Sequence, residues 1–157
     1  MISSGTSYGE SIVAPVLLDP AQHYAVEAQI QLARYSNEET FTRKASFGVV
    51  VRAESNGGGY GAGWCVSAGL LSCDGPTGSV ARLWNIGNGE VLHAEAFRQD
   101  KEVHRYRVEV RGTELTVLID GEVTLTATDH TYLAGKRVGL WSDRAQISVL
   151  SFEVTPL

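Results

Sequence analysis

Cleavage of a glycosidic bond needs two carboxyl groups, one acid and one nucleophile or base, facing each other across a cleft. The sequence shows no motif of that kind. Glu38-Glu39 falls in the polar stretch Ser36 to Thr40, where solvated carboxylates are expected, and Glu27, Glu109, Glu114 and Glu122 stand singly. No G-x-S-x-G elbow occurs, and no Ser or Cys comes with the partners of a triad. His23, His93, His104 and His130 are widely separated, without the H-x-x-x-H or H-x-H spacing that holds zinc. The glycines between Gly57 and Gly63 lie between strands, with no helix whose terminal amides would receive a phosphate. The residues therefore assign no catalytic or metal site and lean away from an enzyme, although a carboxylate pair assembled from distant strands stays open.

Aromatic rings offer a second kind of chemistry. Flat rings stack on the apolar faces of sugars, and Arg, Asp, Asn or Gln take the hydroxyls. Arg82 and Trp84 share parity on one strand, and a charged neighbour of the same parity argues against a fully dry face. Trp64 shares parity with Tyr60. Trp141 opposes Val138 and Leu140 in parity and opens the loop that carries Asp143 and Arg144. Arg82, Trp84, Trp141, Asp143, Trp64 and Tyr60 are the candidate ligand-binding residues. Each tryptophan has a plain alternative, because tryptophan in a small sandwich is more often core.

The elements that would position these residues are strands. Tyr24, Val26, Ala28, Ile30 and Leu32 alternate with polar neighbours, the mark of a strand with one buried face. Phe47 to Ala53, Tyr60 to Val66, Val80 to Asn85 and Glu90 to Phe97 follow, separated by Asn56-Gly57-Gly58-Gly59 and Ile86-Gly87-Asn88-Gly89. Tyr106 to Thr128 predicts a three-stranded meander turning at Gly112-Thr113 and at Asp120-Gly121. The latter is a type I′ signal, since both residues must take positive φ. Lys136 to Trp141 and Ala145 to Val154 form a last pair. About ten short strands spaced roughly 8–12 residues apart predict an all-β, two-sheet antiparallel sandwich. Ser11 to Leu18, with Pro15 near its middle, suits an edge strand.

The chain has 157 residues, enough for one self-sufficient core. Residues 1–10 read as a polar linker and 11–157 as one domain, cut from a longer chain, with a flexible native terminus as the plain alternative. The N-terminus lacks a basic region followed by an apolar one, so it does not read as a signal peptide. The net charge of −5 and the scattered arginines leave no basic patch for nucleic acid or anionic lipid. No apolar run approaches the roughly 20 residues of a membrane span. Cys65 and Cys73 would face each other across a hairpin bending at Ala68-Gly69-Leu70, so a disulfide is geometrically open to them and would imply an oxidising compartment. Two half-buried free thiols are the alternative.

His104 to Gly112, Leu115 to Gly121 and Gly135 to Trp141 carry a family likeness. Together they resemble the core of concanavalin-A-like domains, a group that includes laminin-G-like modules and bacterial domains similar to the 3-keto-disaccharide hydrolase family. The likeness covers about the last 55 residues well. It implies a jelly roll of two facing sheets, and places His104 where relatives carry an aromatic ahead of the meander. It also implies saccharide binding on a curved sheet or its rim, which some relatives extend to hydrolysis. The E-x-D-x-x-E strand motif of the family-16 glucanases is absent. Laminin-G-like relatives sometimes bind Ca2+ through rim aspartates, which here makes Asp74, Asp129 and Asp143 the loop candidates without assigning a ligand set. Fold does not choose among functions. The expectation is a non-catalytic carbohydrate-binding or adhesion-like module, extracellular or envelope-facing. A structural or protein-interaction domain, with a homodimer through an edge strand, is the alternative, and a glycoside-hydrolase-like enzyme the second.

Overall fold

The period-2 alternation sorts side chains onto two faces of each strand, and the strands pair so that the apolar faces meet. The computed structural model describes residues 2–3, 10–13, 17–35, 44–67, 73 and 78–157. Its strands are β1 (Ile2–Ser3), β2 (Glu10–Val13), β3 (Tyr24–Tyr35), β4 (Ala45–Ala53), β5 (Tyr60–Ser67), β6 (Gly78–Asn85), β7 (Val91–Ala96), β8 (Val103–Arg111), β9 (Glu114–Ile119), β10 (Glu122–Thr128), β11 (Arg137–Asp143) and β12 (Ala145–Pro156). Sheet I has the order β1-β12-β3-β8-β9-β10 and sheet II the order β2-β11-β4-β5-β6-β7. The pairings are antiparallel. Successive strands change sheet between β1 and β2, β2 and β3, β3 and β4, β7 and β8, β10 and β11, and β11 and β12, as in a jelly roll.

Most predicted strands lie where the alternation put them, and the meander is β8-β9-β10. Asp120 and Gly121 take φ of 54° and 88°, the two positive values a type I′ turn requires. The segment read as a linker contributes Ile2–Ser3, which pairs with Ile147 and Gln146 at the edge of sheet I. The edge strand expected over Ser11 to Leu18 is Glu10–Val13, paired with β11. Among the described residues no helix is long and apolar enough to cross a membrane.

The core lies between the sheets. Phe47 and Trp64 from sheet II meet Tyr106 and Tyr35 from sheet I, with ring centroids 5.4–5.5 Å apart. These rings bury large apolar areas, and edge-to-face contacts add to that burial. The Trp64 Nε1–H donates to Ser79 Oγ at 2.7 Å, so the buried indole keeps its hydrogen bond.

One end of the sandwich is tied by a buried arginine. A bulge adds a residue to β4 opposite β11, between Val50 and Ala53, and within it Arg52 takes φ +48°. Its guanidinium donates to Leu133 O at 2.6 Å, Gly112 O at 2.9 Å and Pro20 O at 3.4 Å. Its backbone N–H donates to the Tyr24 hydroxyl at 3.2 Å. Three loops, distant in sequence, are thus fastened to one cation.

Candidate functional site

In sheet II the inner face is formed by Phe47, Val49 and Val51 on β4, Tyr60, Ala62 and Trp64 on β5, Ala81 and Leu83 on β6, and Val138 and Leu140 on β11. The alternate residues therefore point outward, and the register arranges them in rows. Trp141 pairs with Gly48, Gly48 with Gly63, and Gly63 with Arg82. In the next row Gly139 pairs with Val50, Val50 with Gly61, and Gly61 with Trp84. In the third, Asp143, Ser46, Cys65 and Val80 follow one another. Three strand spacings, about 14 Å, separate the Cα atoms of Trp141 and Arg82, with only glycines between them.

The glycines are required by close approach. A Cβ on Gly63 would fall 2.5 Å from the Gly48 Cα, and one on Gly48 would fall 2.4 Å from the Ala62 carbonyl oxygen. A Cβ on Gly61 would fall 2.3 Å from Cζ2 of Trp84, so the Trp84 ring lies on the Gly61 backbone. Above that ring sits the Arg82 guanidinium, its carbon 4.2 Å from the ring centroid, a cation–π stack.

Four of the six sequence-predicted residues, Arg82, Trp84, Trp141 and Asp143, share this outer face. Their accessibility differs. Arg82 and Trp84 are each only 4% exposed, while Trp141 and Asp143 are half-buried. The Trp141 Nε1–H donates to Ser46 Oγ at 3.2 Å, and Asp143 Oδ2 accepts from Arg144 Nη1 at 3.1 Å. Trp64 and Tyr60 require a correction. They do share parity, but that parity is the inner one, and at 2% and 1% exposure both rings fill the space between the sheets. Parity could not reveal this, because from Tyr60 to Val66 β5 carries no charged or strongly polar residue on either face.

Cys65 and Cys73 are joined in a disulfide. With Val80 they form a small buried cluster on the outer face of sheet II. The bend proposed at Ala68-Gly69-Leu70 lies outside the described residues, as do Glu38, Glu39 and Asp74.

Of the aspartates considered for Ca2+, Asp129 and Asp143 are not brought together. The Asp129 carboxylate, at the Tyr60 end of the sandwich, accepts the Tyr60 hydroxyl and the Thr131 N–H. Burial, then the Asp129 carboxylate, pushes the Tyr60 hydroxyl up to about 12. The Tyr132 N–H donates to the Tyr60 hydroxyl at 3.2 Å, and the Tyr132 hydroxyl donates to Asn85 Oδ1 at 2.7 Å. Asp143 lies at the other end, opposite Ser46. Among the described residues no group of three or more His, Cys, Asp or Glu could hold a metal ion.

His104 is more than a space-filler ahead of the meander. Its Nδ1 lies 2.6 Å from Asp120 Oδ2 and its Nε2 2.9 Å from Asp100 Oδ1, with Phe97 edge-on at 5.8 Å. Burial lowers its pKa, but the two carboxylates outweigh burial and raise it. The outer face of sheet I is a charge ladder: Glu27 lies 3.6 Å from both Arg105 and Arg107, and Glu109 pairs with Arg107 at 3.0 Å and Arg111 at 3.4 Å. The isolated strand glutamates Glu27 and Glu109 are thus ion-paired on a surface, not set across a cleft.

Solved structures share this architecture. A carbohydrate-binding module, CBM66 of Bacillus subtilis, aligns with a TM-score of 0.62 at 14% identity over 85% of this chain and 74% of its own. A beta-1,3-glucanase of Mycobacterium marinum gives 0.60 at 14% identity over 92% and 67%. Sheep galectin-11 gives 0.53 at 16% identity over 98% and 100%. The fold is the concanavalin-A-like jelly roll. No family model matches the chain, and no curated protein is similar to it in sequence. At such identities the likeness speaks for the fold alone.

Proposed function

We propose that the chain is a non-catalytic carbohydrate-binding, adhesion-like module that works outside the cell or at the envelope, with the outer face of sheet II as its ligand surface. The observation that carries this reading is the row Trp141–Gly48–Gly63–Arg82. It sets the half-buried Trp141 indole beside two close-packed, buried glycines, with the half-buried Asp143 in the adjoining row for hydroxyls. Jelly rolls whose names mark them as carbohydrate-binding or carbohydrate-recognition domains share the fold, and the Cys65–Cys73 bridge suits an oxidising compartment. The kinship we favour is with bacterial domains similar to the 3-keto-disaccharide hydrolase family.

Titration with an oligosaccharide panel, with and without Ca2+, followed by tryptophan fluorescence, tests the reading. A saturable shift that disappears in Trp141→Ala supports it. No shift with any sugar at millimolar concentration, with the fold intact by circular dichroism, removes it.

One observation favours a second reading, a protein-interaction domain. Arg82 and Trp84 stack on each other and are each only 4% exposed, leaving little of either for a sugar. A homodimer through an edge strand of either sheet belongs to this reading, and sedimentation equilibrium reads it directly.

A further inference from the structure

Arg137, Gly139 and Trp141 point outward in turn along β11. Beside Arg137 the surface opens into a hollow of about 320 Å³, whose lining includes Leu17, Ala53, Glu54, Asn56, Lys136 and Arg137. Its floor is tied by backbone bonds. The Lys136 N–H donates to Ala53 O at 3.2 Å, and the Leu18 N–H donates to Lys136 O at 2.8 Å. Gly135 packs so closely on Arg52 that a Cβ there would lie 2.0 Å from the Arg52 carbonyl oxygen. Arg52 in turn holds Pro20 and Leu133, which flank the same loops. Such a floor is preorganised, so little ordering remains for a ligand to impose.

The walls differ in chemistry. Leu17 is 68% exposed, an apolar surface with no cover. The charged rim carries Lys136 and Arg137 against one carboxylate, Glu54, whose Oε2 accepts from Asn56 Nδ2 at 3.2 Å. Neither cation makes an ion pair or a side-chain hydrogen bond among the described residues. This excess of positive charge stands on a chain of net charge −5. A second charged hollow, lined by Gln29, Val103, Arg105 and Asp120, offers no such excess, because Arg105 lies by Glu27 and Asp120 is held by His104.

We propose that the Leu17–Lys136–Arg137 hollow is a subsite for a carboxylate-bearing sugar, a uronic acid unit of an acidic glycan. The carboxylate meets Lys136 and the Arg137 fork, and the C–H face of the ring lies on Leu17. The inference rests on the carbohydrate-binding reading and adds the ligand's charge class. Four residues of β11 place Arg137 about 13 Å from Trp141, Cα to Cα, so a glycan chain engaging both would run along that strand.

The experiment is a 15N–1H NMR titration of the whole chain with a glucuronate-containing disaccharide, its neutral counterpart and acetate. The acidic sugar should shift the amides of Leu17, Glu54 to Asn56 and Ala134 to Arg137 saturably. The Lys136→Ala/Arg137→Ala variant should bind it at least about tenfold more weakly, and added salt should weaken the parent. An unchanged melting temperature confirms that the variant is folded. Equal affinity for the neutral disaccharide at these amides, or undiminished binding by the variant, overturns the proposal. Acetate binding as tightly as the sugar overturns the sugar class and leaves a simple anion trap. Neutral oligosaccharides that perturb only Trp141, while the acidic sugar leaves the hollow unmoved, refute this subsite and leave the module reading standing. Binding of the acidic sugar in the hollow with no sugar at Trp141 upholds the subsite and overturns the Trp141 row as the module's ligand surface.

Discussion

Replacing Arg52 tests both the tie that holds the sandwich end and the strain it sits in. Its guanidinium makes two short bonds, to Leu133 O at 2.6 Å and Gly112 O at 2.9 Å, and a long one to Pro20 O at 3.4 Å. The long bond adds little. Hydrogen bonds from a charged donor are worth about 1.5–3 kcal/mol each in mutational series. The cost of burying the cation is recovered when it is removed, and water reaches the freed carbonyls near the surface. A net loss of about 3 kcal/mol in Arg52→Ala follows. For a domain of this size that lowers Tm by about 9 °C. Arg52 also holds φ +48°, a conformation that costs a non-glycine residue about 1 kcal/mol and glycine nearly nothing. Arg52→Gly should therefore lose only about 2 kcal/mol, and the order of stability should be Arg, then Gly, then Ala. Lysine should not rescue, because a point charge cannot span the carbonyls as the planar fork does. Urea unfolding followed by tryptophan fluorescence, with thermal melts alongside, gives these values. An alanine variant within about 0.5 kcal/mol of the parent would remove the tie, and a glycine variant less stable than alanine would remove the strain.

Three further outcomes follow from named contacts. His104 has its folded pKa raised above the unfolded imidazole value by Asp120 and Asp100, which outweigh burial. Its contribution is thus full below about pH 6.5 and lost as pH rises through the folded value. Tm profiles of the parent and His104→Gln should diverge on the acid side of neutrality, and superimposable profiles would refute the clamp. The Cys65–Cys73 bridge spans a sequence separation of 8; the chain-entropy relation gives about 2.5 kcal/mol for so short a loop. Reduction or Cys65→Ala/Cys73→Ala should lower the urea midpoint accordingly. Tyr60→Phe loses a bond to Asp129 and one from the Tyr132 N–H and should cost about 1–2 kcal/mol. Because the Tyr60 hydroxyl is pushed up to about 12, its neutral form favours the fold and that contribution is lost as pH climbs from about 10 through that value. Tyr60→Phe should flatten this alkaline loss of stability, and an unaltered alkaline limb would count against the bond.

The strands and the meander were legible because each needs only local alternation and turn chemistry. Tyr24 to Leu32 and the Asp120-Gly121 turn state their geometry in their own residues. Parity also placed Arg82, Trp84 and Trp141 on one side, since a strand's faces alternate whatever surrounds it. It did not tell which face of β5 was the core, because Gly61, Gly63 and Cys65 look no more solvent-loving than Tyr60, Ala62 and Trp64. Arg52 was read as an ordinary strand residue. A glycine or asparagine would have marked a positive φ there, whereas arginine adopts it only because three distant carbonyls reward it. The hollow was illegible for the same reason: Leu17, Glu54 and Lys136 meet through backbone bonds between segments far apart in the chain.

The two outer faces differ in a way that decides where a ligand can act. On sheet I each strand glutamate in the ladder already has arginine partners, so a ligand there must displace Glu27 or Glu109 from an ion pair before gaining contact. Exchange of one partner for another yields little net affinity. On sheet II the two glycines between Trp141 and Arg82 are buried, but Lys136 and Arg137 beyond that row hold no ion pair among the described residues. A ligand anion at Lys136 and Arg137 gains ion pairs without breaking one among the described residues. Binding, where this protein binds a sugar, should therefore follow β11 from Trp141 toward Arg137.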